Sequence, residues 1–130
     1  MMDRRDMIKG SIAAGAVASV AGIAVALPKR EQVRVAFMLG DNTNMIDTAG
    51  PWEVFQDVMI GSGDAMRHPF ELYTVGRSLD PVRMTGGFQA RPHYSVSDAP
   101  EPHVIVIPAH RTDDGLQAWL KKSSAPADVT

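Results

Sequence analysis

Apolar and polar positions from residue 33 onward form short apolar runs separated by stretches with helical spacing. The runs Val33–Leu39, Phe70–Val75 and Val104–Ile107 are largely apolar, as expected for parallel strands covered on both faces. The third run is the most apolar of the three, and we expect it to be a central strand. Strands separated by helical segments predict an α/β fold with a mostly parallel sheet.

Two helices are predicted between and after these runs. The first covers residues 51–60, because Pro51 suits a first helical position. Trp52 lies off its apolar stripe and is a candidate dimer contact. That stripe, expected to face the sheet, consists of Val54, Phe55, Val58 and Met59. Thr112 or Asp113 can cap a second helix. Its apolar face carries Leu116, Trp119 and Leu120.

Two shorter features complete the predicted elements. Residues 81–91 have the composition of a hairpin, because Gly86 and Gly87 can adopt the positive φ angles of a tight turn. Residues 128–130 begin a further strand that does not continue, which would leave the last apolar strand with an unpaired edge. We therefore expect a sheet that is incomplete at its C-terminus.

The N-terminus resembles a twin-arginine export signal. Arg4 and Arg5 precede an uncharged run of small and apolar residues from 11 to 26, and a small-x-small triplet ends at Ala26. We predict a signal peptide over residues 1–26, a linker over 27–32, a domain over 33–130, and a periplasmic location. A retained anchor is the alternative, but the run is too short and weakly apolar for a stable membrane span.

Composition excludes several kinds of function. The 130 residues have a formal net charge of -2 and no basic run after residue 30, so no nucleic-acid partner is expected. The chain contains no cysteine, which excludes a disulfide framework, a thiol nucleophile and a thiolate metal site within it. His93 and His103 have no second ligand-type residue at i, i+4 spacing, and we predict neither a metal site nor a cofactor.

Asp47 is the candidate catalytic residue. It follows an apolar strand and precedes the predicted helix, at the edge where α/β proteins bind ligands. A role as a local cap is the structural alternative. Gly50 and Pro51 would set the backbone at the helix start, and Glu53 would be favoured there by the helix dipole. These three residues are therefore predicted to be structural at the site.

The motif Asp47-Thr48-Ala49-Gly50-Pro51-Trp52-Glu53-Val54-Phe55, with Asp98-Ala99-Pro100 before the third apolar run, resembles the ThiJ/PfpI family. This family belongs to the class I glutamine-amidotransferase-like superfamily, and the similarity is greatest to isonitrile hydratases and AraC-type sensor domains. The resemblance implies a flavodoxin-like three-layer α/β/α sandwich that forms a homodimer in its full-length form. It also implies a cysteine on a tight turn that faces a carboxylate, and Asp47 matches that carboxylate.

In the isonitrile hydratase branch, the resemblance implies thiolate attack on an isocyanide and hydration to an N-substituted formamide. This chain ends before such a cysteine and is expected to be inactive as given. The family's Pro-Gly-Gly is here Pro108-Ala109-His110, which makes Ala109 and His110 candidate substrate-binding residues for a small molecule. Two other interpretations stay open: a non-catalytic small-molecule-binding or sensor module, and a generic flavodoxin-like or receiver-type domain.

Overall fold

A computed structural model describes residues 29–111 and 113–130. The signal peptide predicted over 1–26 and the alternative cap Thr112 therefore lie outside the described residues. The elements are β1 (Val33–Leu39), α1 (Met45–Asp57), β2 (Phe70–Gly76), β3 (Val82–Arg83), β4 (Gln89–Ala90), β5 (Tyr94–Ser95), β6 (Val104–Val106) and α2 (Asp114–Ser124), with 3₁₀ turns at Gly63–Ala65 and Thr85–Gly87.

The three apolar runs and the short strand β5 form a parallel four-stranded sheet in the order β5-β2-β1-β6. β1 pairs with β2 along its whole length, from Val33 opposite Phe70 to Leu39 opposite Gly76. On its other side, β1 pairs with β6, where Val35 lies opposite Val104. The predicted α/β fold with a mostly parallel sheet is confirmed.

The side chains of β1 alternate between the two faces of the sheet. Phe37 contacts Trp52 and Phe55 of α1, with ring centroids 5.0 and 6.3 Å away. Its neighbours point to the other face and pack with α2. The core on that face comprises Ala36, Met38, Tyr73, Val75, Ile105, Leu116 and Trp119. Because the two helices cover opposite faces, the molecule is a three-layer α/β/α sandwich.

The predicted start of α1 is wrong, since the helix begins at Met45. The side chain of Asn44 caps it by accepting a hydrogen bond from the Ile46 backbone N–H at 3.1 Å, which satisfies one of the free amides of the first turn. Pro51 therefore lies inside the helix and not at its first position. Because proline has no N–H, the helical bond that would reach the Asp47 carbonyl is missing.

Of the predicted apolar stripe of α1, only Phe55 packs against the sheet. Val54 and Met59 are 68% and 48% exposed. The helix packs through Phe55 together with Trp52, which the prediction had placed off the stripe. Both are half-buried, and the Phe55 ring lies 4.9 Å from that of Phe70. The large aromatic rings fill the space above the sheet, because they make the most extensive contact with other rings there.

The prediction for α2 is confirmed. Asp113 is its N-cap and accepts a hydrogen bond from the Leu116 backbone N–H at 2.9 Å. Leu116 and Trp119 are buried, and Leu120 is half-buried on the same face. A strong apolar stripe and a carboxylate at the cap were sufficient to predict this helix.

The smaller elements bear out one expectation and correct another. β3 and β4 form the predicted hairpin, in which Gly86 and Gly87 have φ of 71° and 83°. β6 was expected to be a central strand, but in the described sheet it lies at the edge. Beyond it there is an isolated parallel bridge from Val104 to Val129. β5 was not predicted, because two residues are too few to form a recognisable apolar run.

Candidate functional site

The loop between β1 and α1 is held by hydrogen bonds within itself and to the β3–β4 hairpin. Thr43 is fully buried, and its hydroxyl oxygen accepts from the Gly40 N–H at 2.9 Å and donates to the Gly40 carbonyl at 2.6 Å. The same loop is bonded to the β3–β4 hairpin, where the Thr85 N–H donates to the Thr43 carbonyl at 3.0 Å. These bonds hold the start of α1 at the carboxyl end of the sheet.

Asp47 is the third residue of α1, and not a loop residue before the helix as the sequence suggested. The position is half-buried, and a carboxylate in the first turn is favoured by the helix dipole. Its Oδ2 accepts a hydrogen bond from the Ala109 backbone N–H at 3.1 Å. The structure thus brings together two of the predicted site residues, which are 62 positions apart in sequence.

The contact between Asp47 and Ala109 is a modified helix cap. In a capping box, the side chain at the third helical position accepts from the N–H of the cap residue. Here the Asn44 N–H instead donates to the Ala109 carbonyl at 2.8 Å, while Asp47 accepts from the Ala109 N–H. Both polar groups of one residue beyond β6 therefore complete the start of α1.

His110 lies beside this contact and is half-buried. Its Nδ1 is 2.7 Å from the Pro108 carbonyl, which can only accept, so Nδ1 carries the proton. In the neutral ring, Nε2 then has a free lone pair. The ring covers Gly40 so closely that a Cβ there would lie 2.5 Å from the His110 Cδ2. Glycine at position 40 thus makes room for the imidazole.

A cleft of about 270 Å³ opens next to Ala109 and His110. Its walls come from the loop after β1, the hairpin and the segment after β6. Arg111 at its rim lies 3.6 Å from the Asp41 carboxylate, and both side chains are exposed. The remaining lining residues are Asn42, Asn44 and Thr85. A cleft at the carboxyl ends of parallel strands is where ligands bind in open α/β sheets.

The predicted structural residues lie elsewhere on α1. Glu53 is the ninth residue of the helix and is exposed, so the expectation that the dipole at the helix start favours its charge is wrong. Gly50 is half-buried, and a Cβ there would meet no atom within 4 Å. Pro51 sits one turn beyond Asp47. Neither Gly50 nor Pro51 contributes a hydrogen bond to the Asp47 contact.

Sequence reasoning missed the cap Asn44 and a second polar group on the other side of α1. The Asn44-x-x-Asp47 spacing could have revealed the cap. The second group is His93, whose Nδ1 accepts from the Thr74 backbone N–H at 3.0 Å and whose ring stacks on Trp52 at 6.1 Å. A two-residue strand and a long-range aromatic contact leave no periodic signal in the sequence.

Over 29–111 and 113–130, no group of three or more His, Asp or Glu residues is placed to hold a metal ion. Within the same ranges, no helix is both long enough and apolar enough to span a bilayer.

Residues 1–21 match the family model of the twin-arginine translocation (TAT) pathway signal sequence. The prediction of twin-arginine export, and with it a periplasmic or exported location, is confirmed. No curated protein matches the chain.

Several solved structures are similar to this chain. A ThiJ/PfpI family protein from Pseudomonas syringae has a TM-score of 0.65 and 19% identity, over 92% of this chain and 49% of its own. A proposed transcriptional regulator from Vibrio parahaemolyticus has a TM-score of 0.55 and 12% identity, over 75% and 55%. DJ-1 from Schizosaccharomyces pombe has a TM-score of 0.51 and 18% identity, over 69% and 51%.

The chain spans about half the length of these structures. At such low identities, the similarity shows the fold alone. This fold agrees with the three-layer sandwich that the resemblance of the sequence motif implied. The described part of this exported chain has the fold of the ThiJ/PfpI and DJ-1 proteins.

Proposed function

We propose that this chain is the N-terminal, carboxylate-bearing part of an exported ThiJ/PfpI-like protein related to cysteine-dependent isonitrile hydratases or hydrolase-like enzymes. The observation that carries the proposal is the hydrogen bond from the Ala109 N–H to Asp47. It places the carboxylate of the resembling motif beside the predicted substrate-binding segment, at the carboxyl end of the sheet. A carboxyl group in that position can exchange a proton with a nucleophile and its substrate.

The reaction needs a thiol that this chain does not contain. In the proposed full-length form, a cysteine thiolate adds to the carbon of an isocyanide, and Asp47 supplies the proton. Water then displaces the sulfur, so that isocyanide and water together become an N-substituted formamide and the thiol is regenerated. The backbone bond to Oδ2 orients Asp47, and its Oδ1 accepts no hydrogen bond from residues 29–111 or 113–130.

A non-catalytic binding or sensor module is the second candidate function. Its support is the fold shared with the proposed Vibrio regulator, together with the cleft lined by Ala109 and His110. Export argues against a version that acts on DNA, because an exported regulator is separated from the chromosome. In both functions the ligand is a small molecule. For a full-length form we also propose a homodimer, and the exposed Ile46 and Val54 on α1 support a contact there.

The first test is to read the coding DNA beyond Thr130. A cysteine on a strand-to-helix turn in that sequence would supply the missing nucleophile, whereas unrelated sequence would refute the catalytic function.

The second test uses a full-length form and an aliphatic isocyanide. Asp47→Asn should lower the rate of isocyanide loss at least about tenfold, as expected for removal of an acid-base group. Asp57→Asn is the matched control, because Asp57 is exposed at the far end of the same helix. Equal rates for the two variants would reduce Asp47 to a helix cap. Failure of the wild type to turn over isocyanide while binding a small molecule would favour the sensor function.

A further inference from the structure

A second cleft lies between α1 and the β3–β4 hairpin. Its volume is about 430 Å³, within the usual range for small-molecule sites. Met45, Thr48, Ala49 and Trp52 line it from α1, at the i, i+3, i+4, i+7 spacing of one helix face. Asp47 is not among the lining residues, because at 3.6 residues per turn it points to roughly the opposite side of the helix. This cleft is therefore separate from the Asp47 contact.

The walls of the cleft are mainly apolar and aromatic. Phe88 and Met84 close it from the hairpin side, and Leu39 lies at the end of β1. Phe88 is 54% exposed in the described structure, although it is a large ring on a short hairpin. An aromatic molecule between Phe88 and Trp52 would cover both rings and remove apolar surface from water.

His93 is an uncommitted polar group in the lining of the cleft, and its proton position is set by its neighbours. The Thr74 backbone N–H can only donate, so the His93 Nδ1 at 3.0 Å must accept. The neutral ring then carries its proton on Nε2. Within 29–111 and 113–130, that Nε2 forms no hydrogen bond, and the ring is fixed by stacking on Trp52. Beside the apolar walls of the cleft, His93 thus offers an oriented N–H donor.

The charges around the cleft balance. Arg91 and Glu53 both line it, so one cation faces the ligand space together with one anion. A charged ligand would be attracted by one of them and repelled by the other. A ligand without net charge meets no such penalty, and a carbonyl oxygen can accept from the Nε2–H of His93.

We propose that the cleft between α1 and the β3–β4 hairpin binds an uncharged aromatic molecule with a carbonyl group, whose ring lies between Trp52 and Phe88 and whose oxygen accepts from His93. This site does not depend on the reaction proposed for Asp47, and it is present in the chain without any cysteine.

The test is a titration of the ¹⁵N-labelled chain with four probes of similar size: 2-phenylacetamide, phenylacetate, 2-phenylethylammonium and ethylbenzene. The chain has two tryptophans, so the indole signals serve as reporter and internal control. Trp52 lines the cleft, whereas Trp119 is buried on the other face of the sheet. We expect a saturable shift of Trp52 alone, with 2-phenylacetamide binding at least about fivefold tighter than the other probes, as one hydrogen bond provides.

Two variants locate the binding. Phe88→Ala should lower the affinity for 2-phenylacetamide at least about fivefold, because the contact with the Phe88 ring is lost. Leu79→Ala, at a 48% exposed apolar position outside the cleft, should leave this affinity unchanged. His93→Phe keeps a ring on Trp52 but removes the donor, and should lower the affinity for 2-phenylacetamide to that for ethylbenzene. Far-UV circular dichroism verifies that each variant is folded.

Several results would overturn the proposal. Equal affinity for all four probes would show that no acceptor is recognised, and preference for either ion would show that the charges do not balance. Absence of saturable binding of 2-phenylacetamide would exclude the site. Unchanged affinity in Phe88→Ala or His93→Phe, or a shift of the Trp119 signal, would place the ligand elsewhere.

Discussion

The two helices of the sandwich differ in how they are attached to the sheet. α2 buries Leu116, Trp119 and Ser123, and its cap Asp113 accepts hydrogen bonds from the Leu116 N–H and the Arg77 guanidinium, both at 2.9 Å. α1 has no buried residue, contains Pro51, and exposes Ile46 to 70%. Its start depends on long-range bonds to the hairpin and to Ala109.

The difference separates stability from ligand chemistry. α2 contributes apolar surface to the core, and no lining of either candidate ligand cleft comes from it. α1 carries Asp47 on one side and the wall of the α1–hairpin cleft on the other. A helix that is held by its ends and by a few rings can present side chains on several faces, which a helix with a fully buried face cannot do.

The largest expected effect concerns the buried face of α2. Leu116→Ala should lower the free energy of unfolding by about 2–5 kcal/mol, because Leu116 is 1% exposed and its loss leaves a cavity in the core. Val54→Ala, at a 68% exposed position of α1, should change it by less than about 0.5 kcal/mol. Urea denaturation followed by circular dichroism measures both. Similar losses would abolish the distinction between the helices.

The two caps provide an intermediate test. Asn44→Ala and Asp113→Ala each remove a side-chain acceptor for a first-turn N–H, at 3.1 Å in α1 and 2.9 Å in α2. Each should cost about 1 kcal/mol of unfolding free energy. Gln56→Ala on the exposed part of α1 is the control for side-chain truncation without a cap. A loss for Asp113→Ala alone would mean that the Ala109 bonds hold α1 without its cap.

The smallest expected effect is a difference in acid sensitivity. The Leu116 N–H and then the Arg77 guanidinium hold the pKa of Asp113 below its ordinary value of 3.8. A lowered folded pKa adds stability that is present above about pH 3.8 and is lost as pH falls through the folded value. The cap of α1 is the uncharged Asn44, which has no such dependence. The contribution of α2 should therefore decrease in acid.

Asp113→Asn measures this effect, because asparagine caps as well as aspartate but does not titrate. The variant should be slightly less stable than the wild type at pH 7 and should approach it below pH 3.8. Urea midpoints at several pH values follow the difference. A gap that stays constant with pH would show that the charge of Asp113 contributes nothing to folding.

Local patterns predicted α2, β1, β2 and the hairpin, because each of these elements repeats its signal over neighbouring residues. The same patterns largely failed at α1, where a proline suggested the wrong start and, apart from Phe55, the apolar stripe suggested the wrong face. The site was predicted only in part. Asp47, Ala109 and His110 were selected as candidates, but the bond between the first two and the proton position of His110 depend on partners distant in sequence or on backbone geometry.

The sequence alone determined four features of this protein: an export signal, a parallel sheet, an amphipathic α2 and a carboxylate in a family motif. Each of these depends on side chains close together in sequence. Tertiary structure determined the start of α1, the pairing of Asp47 with Ala109, the donor atom of His93 and the separate cleft between α1 and the hairpin. Such features arise only when strand order brings distant backbone amides, carbonyls and rings within hydrogen-bonding or stacking distance.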